Sequence, residues 1–218
     1  MSRPYVILNA AMTLDGKIAT VAGDSRISCK EDLDRLHMLR ADVDAVMVGA
    51  GTVLADDPSL TVRRVSGKSP LRVVVDGGAK TPPNAKVLKG KGRTIVAVSE
   101  IANSKKIEKL RATGAEVLKC GKNEVDLRKL LGKLAVRSVK KLLLEGGSTL
   151  NWNMLKSGLV DEIRLTVAPR VVGGVTAKSL VGGNGFPNIE NGVGLELLQA
   201  KRAGKDLLLR YRVEGKGC

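Results

Sequence analysis

The apolar positions of this chain fall into short runs, and most of the runs end on glycine or an acid. Tyr5–Met12 is apolar and β-prone and predicts a first buried strand. Asp44–Val48, Leu71–Val75 and Thr94–Val98 predict three more, the first two ending in Gly49-Ala50-Gly51-Thr52 and Asp76-Gly77-Gly78. Ser28 with Glu31 three residues on has the form of a capping box, opening a helix to about Ala41 with Leu33, Leu36 and Arg40 on one face. Asn103–Thr113 predicts a helix closed by Gly114, Val117-Leu118 a short strand, and Val125–Leu134 another helix. Val139–Glu145 predicts a strand, followed by a helix from Ser148 to about Lys156 that Gly158 stops. Glu162–Ala168 alternates as a half-exposed strand does. Pro169–Glu190 is loop-rich, and Leu195–Leu198 with Leu207–Val213 predicts an antiparallel pair around Gly204. The sum is an α/β fold: a mixed, mostly parallel sheet flanked by helices, with an antiparallel C-terminal pair.

Composition sharpens this picture in three ways. A length of 218 residues fits one domain, and 43% hydrophobic residues supply its core. One Trp, one Phe and two Tyr leave that core to Val, Leu, Ile and Ala, as covered parallel sheets require. No apolar run is long enough to span a bilayer, and Met-Ser-Arg-Pro-Tyr lacks the regions of a signal peptide, so a cytoplasmic protein is expected. Cys29, Cys120 and Cys218 are widely spaced, without Cys-x-x-Cys and with one His in the chain; neither a disulfide framework nor a metal site is expected. The net charge of +15 suits either nucleic acid or small phosphorylated ligands. Its Lys and Arg are dispersed and aromatic platforms for bases are scarce, so small ligands are expected and nucleic acid is not.

The chemistry is concentrated at strand ends. No Gly-x-Gly-x-x-Gly follows the first strand, and no Walker motif or Gly-x-Ser-x-Gly elbow is present. His37 lies in the first helix and is read as a packing residue. Leu142-Leu143-Leu144-Glu145-Gly146-Gly147-Ser148-Thr149-Leu150 stands out: an apolar run stops at a carboxylate, two glycines follow, and a helix opens. Such a helix aims its free N–H groups and positive dipole end at the gap, a natural seat for a phosphate.

Ala10-Ala11-Met12-Thr13-Leu14-Asp15-Gly16-Lys17-Ile18-Ala19, Gly23-Asp24-Ser25, the run from Gly51 to Arg63 and Glu145–Leu150 resemble the riboflavin-pathway reductases. So does Gly158-Leu159-Val160-Asp161-Glu162, and the likeness extends from about Tyr5 to Val213. The resemblance implies a dihydrofolate-reductase-like fold, NADPH as cofactor, a homodimer, and reduction of the ribosyl group of a ribosylaminopyrimidine 5′-phosphate to ribityl. Without His-x-Glu and Pro-Cys-x-x-Cys the chain looks like the freestanding, archaeal-type reductase rather than one fused to a deaminase.

The same resemblance assigns roles. Thr52, Asp56 and Ala10 are expected at the nicotinamide half of NADPH. Gly146, Gly147, Ser148, Thr149 and Leu150 are expected at its pyrophosphate, and Gly77 and Gly78 on the adenosine side, with Lys80 offered for the 2′-phosphate. Lys17, Ser25, Arg40, Leu60, Arg63 and Glu145 are expected at the substrate, the two arginines suiting its phosphate. Lys17, Asp56 and Glu145 remain three alternatives for the proton donor. Family members often carry Trp before the residue at Ile27, where this chain has Arg26. The rivals are a pterin reductase of the same fold, marked by turnover of a phosphate-free substrate, and a basic RNA-binding module, marked by salt-steep RNA binding without NADPH.

Overall fold

A computed structural model describes residues 3–215. Among them are nine strands and five helices. The chain divides into two compact units, Met1–Tyr5 with His37–Leu143 and Val6–Leu36 with Leu144–Cys218. No helix among the described residues is long and apolar enough to cross a membrane.

In the first unit β2 (Ala45–Gly49), β3 (Leu71–Val75), β4 (Thr94–Val98) and β5 (Glu116–Lys119) are all parallel, with Ala45 opposite Leu71 and Ile95 opposite Glu116. Ala45–Val48, Val73, Val74 and Ile95–Val98 are wholly inaccessible, so these strands are covered on both faces. Each such Val or Ile contributes about 1.5–3 kcal/mol of burial. Helix α3 (Ser104–Arg111) buries Ile107 and Leu110, and α4 (Leu127–Val136) buries Leu130, Leu131 and Leu134. Asn103 and Asp126 cap them by accepting the amides of Lys106 and Lys129 at 3.2 and 3.0 Å. Arg72, inside β3, is buried and donates to the carbonyls of Lys89 (2.7 Å) and Gly92 (2.9 Å), holding the turn before β4.

In the second unit β1 (Tyr5–Thr13) and β7 (Glu162–Ala168) are parallel, and β9 (Asp206–Val213) joins β7 and β8 (Leu195–Ala203) antiparallel. The β8–β9 hairpin turns at Gly204, at φ +58°. Its leucines 195, 197, 198 and 207 are exposed. Helix α5 (Ser148–Lys156) follows β6 (Lys141–Leu144), and Gly158, at φ +64°, ends it as expected.

Three expectations need correction, and one helix was not foreseen. Helix α1 (Lys30–Ala41) starts after Cys29, whose carbonyl accepts the Leu33 amide at 3.1 Å, so the cap lies one residue beyond Ser28. Leu33 is exposed, while Asp32, His37, Leu39 and Arg40 are the buried positions of that helix. Ala50–Asp56, to which no element was assigned, is the helix α2; it opens at Gly49 without a side-chain cap, so no polar residue announces it. β7 is covered on both faces: Thr166 donates to Asp32 at 2.6 Å, and buried Glu162 is gripped by Arg164 (2.6 Å) and Arg210 (2.8 Å).

Candidate functional site

In the second unit two of the expected groups are well defined. The first is the turn after β1. The Lys17 amide donates to Thr13 Oγ1 at 3.0 Å, and the Lys17 carbonyl accepts the Thr13 amide at 2.9 Å. Thr13 Oγ1 donates to Asp15 Oδ1 at 2.6 Å, and Gly16 supplies the left-handed position at φ +77°. Asp15 is exposed and also accepts the amides of Gly173 (2.8 Å) and Val172 (3.3 Å). The Thr13 hydroxyl first, aided by those amides, holds its carboxyl below the usual range against the opposing effect of desolvation. Lys17 itself is half-buried.

The second group is the start of α5. Its first intrahelical bond runs from the Asn151 amide to the Gly147 carbonyl at 2.9 Å, so the amides of Ser148, Thr149 and Leu150 precede the ladder. Gly147 provides no side-chain cap. Gly146 sits at φ +85°, and a Cβ there would lie 3.1 Å from Asn151 Oδ1, a buried acceptor without a partner. A side chain at that φ would be strained and would press on Asn151, so the position favours glycine. Glu145 and Ala10 are half-buried; Ser25 is exposed, in a loop where Arg26 grips Asp24 through both its Nε (2.9 Å) and Nη2 (2.8 Å). That guanidinium holds the Asp24 carboxyl well below the usual range.

The first unit carries the remaining candidates. Thr52 is half-buried and Asp56 exposed, both on α2, and the left-handed Asp57 (φ +41°) ends that helix. Leu60 is buried at 1% exposure with φ +55°. Arg40 is buried and donates to the Thr61 carbonyl at 3.2 Å; Arg63 is exposed, with its Nη1 3.2 Å from Thr61 Oγ1. The Arg63 amide donates to His37 Nδ1 at 3.0 Å, so the packing histidine fixes the backbone of an expected phosphate ligand. Gly77, Gly78 and Lys80 lie on a turn organised by buried Asp76, which accepts the amides of Lys80 (2.8 Å) and Thr81 (2.7 Å) and the Thr81 hydroxyl (2.6 Å). The Lys80 stem lies against Gly78, where a Cβ would meet its Cε at 3.3 Å.

A separate cavity of about 210 Å³ in the second unit is lined by Arg35, Arg164, Gln199, Lys201 and Arg210 with three leucines, and includes no expected site residue. Among the described residues no group of His, Cys, Asp or Glu is arranged to hold a metal ion. Asn151 was not singled out by sequence reasoning, and Asp15 was noted only within the Asp15-Gly16-Lys17 strand end, without a role of its own. Asn151 directly follows the Gly-Gly-Ser-Thr-Leu run, which is the one signal pointing to it.

The RibD C-terminal domain family matches residues 4–209. The chain is 52% identical over 216 residues to the 2,5-diamino-6-ribosylamino-4(3H)-pyrimidinone 5′-phosphate reductase of Methanothermobacter thermautotrophicus, covering 98% of this chain and 100% of the relative. Among solved structures, Acinetobacter baumannii RibD superposes with a TM-score of 0.84 at 28% identity over 97% of this chain; this chain spans 58% of that one. The dihydrofolate reductase of Enterococcus faecalis, solved with NADP(H), shares the fold at a TM-score of 0.54 and 14% identity, with 97% of each chain covered. The match over almost the whole described length, with the Glu-Gly-Gly-Ser-Thr-Leu strand end at the start of α5, establishes that the chain belongs to the family of the RibD C-terminal domain.

Proposed function

We propose that this protein is an NADPH-dependent reductase of a ribosylaminopyrimidine 5′-phosphate, acting in riboflavin biosynthesis on the 2,5-diamino compound named for its M. thermautotrophicus relative. The observation that carries the cofactor part is the start of α5. Three amides ahead of the first helical bond, beside a left-handed glycine where a side chain would crowd Asn151, make a seat for a pyrophosphate.

The residues fit a dinucleotide phosphate of this kind. Gly146–Leu150 would hold the pyrophosphate, Thr52, Asp56 and Ala10 the nicotinamide half, and Gly77 and Gly78 the adenosine side. Lys80, exposed at the end of a turn locked by Asp76, would meet a 2′-phosphate and favour NADPH over NADH. When bound, the cofactor supplies a hydride. Lys17, Ser25, Arg40, Leu60 and Arg63 would bind the substrate, the arginines at its phosphate. Glu145, Lys17 or Asp56 supplies the proton that ring opening needs. The C1′–O4′ bond breaks, O4′ takes that proton to become a hydroxyl, and the nitrogen lone pair closes a C1′=N imine as the nitrogen gives up its own proton. Hydride at C1′ and a proton on nitrogen then complete the ribityl amine.

Electrostatics favour the reading. The first unit carries 23 Lys and Arg against 10 Asp and Glu, net +13, and the second 14 against 12, net +2. Such an excess draws in phosphorylated ligands. The exposed leucines of the β8–β9 hairpin support a homodimer, and the protein is expected to work in the cytoplasm. The test follows nicotinamide absorbance with the diamino and the deaminated ribosylaminopyrimidine phosphates offered separately. Oxidation with the diamino compound is expected. Folded protein that binds NADPH and oxidises it with neither overturns the substrate.

A further inference from the structure

The segment after β7 runs back along the turn that carries Lys17. The Leu14 amide donates to the Arg170 carbonyl at 2.7 Å, the Ile18 amide to Lys178 at 2.8 Å, and the Leu180 amide to Gly16 at 3.0 Å. Lys17 and Ser179 form an isolated β-bridge. The same segment then reaches α5: Asn151 Nδ2 donates to the Leu180 carbonyl at 2.9 Å, the Gly182 amide to Ser148 at 3.1 Å, and Phe186 meets Trp152 edge-on at 4.9 Å. Residues 170–186 are therefore a strap, stapled to the Lys17 turn at one end and to the start of α5 at the other.

Asp15 sits at the first staple and does two things at once. Its carboxylate takes the single proton of the Thr13 hydroxyl at 2.6 Å. That leaves the lone pairs of Thr13 Oγ1 to accept the Lys17 amide at 3.0 Å, while the Lys17 carbonyl, 3.3 Å away, loses the competition for the same proton. The carboxylate also accepts the amides of Val172 and Gly173 from the strap. An ionised carboxylate can accept all three; a carboxamide presents one acceptor and one donor and cannot.

We infer that Asp15 is a positioning residue for Lys17: through Thr13 it fixes the Lys17 backbone, and through Val172 and Gly173 it fastens the strap over that turn. This rests on the reductase reading for Lys17's role at the substrate, but the contact itself does not. Asp15 is exposed, so removing it acts on alignment rather than on the fold. A small displacement of a substrate-binding group is enough to lower turnover severely.

The experiment compares the full chain with Asp15→Asn, Thr13→Val and the double variant. For Asp15→Asn, kcat/KM toward the ribosylaminopyrimidine phosphate falls ten- to hundredfold. The Kd for NADPH stays within about twofold, and the melting temperature and Trp152 emission are unchanged. Thr13→Val shows the same pattern, and the double variant is no worse than the poorer single one, since both remove one relay. Independently of any substrate, amide exchange speeds up in segments 13–18 and 170–174 of Asp15→Asn while the 182–186 end of the strap keeps its protection. Unchanged kcat/KM, an equal loss of NADPH affinity, additive single losses or unchanged exchange would each overturn the inference. If the wild-type protein does not turn the pyrimidine over, the reductase reading fails and the exchange result still decides the role of Asp15.

Discussion

Asp76 and Asp15 both follow a strand and each accepts three hydrogen bonds, but from opposite parts of the chain. The partners of Asp76 are Lys80 and Thr81, four and five residues on, and it is buried at 2% exposure. Those of Asp15 are its neighbour Thr13 and two amides 157 and 158 residues away, and it is exposed. The first builds a turn from within and belongs to the fold of its unit. The second joins two distant segments at an exposed turn that carries Lys17. A carboxylate with local, buried partners is a stability device; one with remote partners at an open surface is an alignment device.

Glu145 extends the comparison to a strand end whose carboxylate is proposed to touch substrate. Glu145→Gln is expected to lower turnover by about 10²–10⁴-fold with NADPH affinity kept, the range typical of a lost proton donor. Steady-state kinetics beside direct cofactor binding separates the two; equal losses in both would remove its proposed role.

Asp76→Ala should behave in the opposite sense. It strands the amides of Lys80 and Thr81, at a cost of about 2–4 kcal/mol and roughly 6–12 °C in melting temperature, with kcat of the folded fraction nearly intact apart from a weaker hold on NADPH. A melting temperature unchanged within error would dissolve the contrast with Asp15.

Arg63→Ala sits between these. Its guanidinium is exposed and its backbone is held by His37, so the loss of about tenfold is expected in substrate KM alone, read at fixed saturating NADPH. An equal rise in the KM for NADPH would place Arg63 elsewhere.

Glu162 tests the buried class by pH. Burial pushes its carboxyl upward, but hydrogen bonds from Arg210 and Arg164 outweigh it and hold it below the ordinary value of 4.5. A lowered native pKa gives stability that is complete above the unfolded value and is lost as pH falls through the native one. The urea midpoint of the wild type should therefore exceed that of Glu162→Gln at pH 7, with the gap closing below about pH 4. A gap that widens in acid would reverse the sign.

The smallest effect belongs to Cys29. Burial first, then the neighbouring Asp206 carboxylate, push its thiol up to about 11. Alkylation at this site, followed by peptide mass, should be at least about tenfold slower at pH 8 than in the unfolded chain. Cys218 lies outside the described residues and is scored separately.

What the sequence disclosed follows the same division between local and remote partners. Strands β2, β3 and β4 were visible as short, largely aliphatic, β-branched runs, and α3 through its stop at Gly114. Helix α2 was invisible because Gly49 offers no side-chain cap and seven residues give little periodicity. The covered second face of β7 was missed because its cover, Asp32 on Thr166 and two arginines on Glu162, is tertiary. Among the site residues, Gly146–Leu150 announced themselves by a glycine pair ahead of a helix. The contacts of Asp15 were hidden, since two of its three partners lie across the chain in a loop without pattern.

The most direct test of the central claim is where the hydride goes. Protein supplied with NADPH deuterated at the transferable position and with the diamino ribosylaminopyrimidine phosphate should yield a ribityl product carrying one deuterium at C1′, seen by mass and proton NMR. Deuterium in a heterocyclic ring, or none in a product formed at the same rate, would contradict reduction of the ribosyl group.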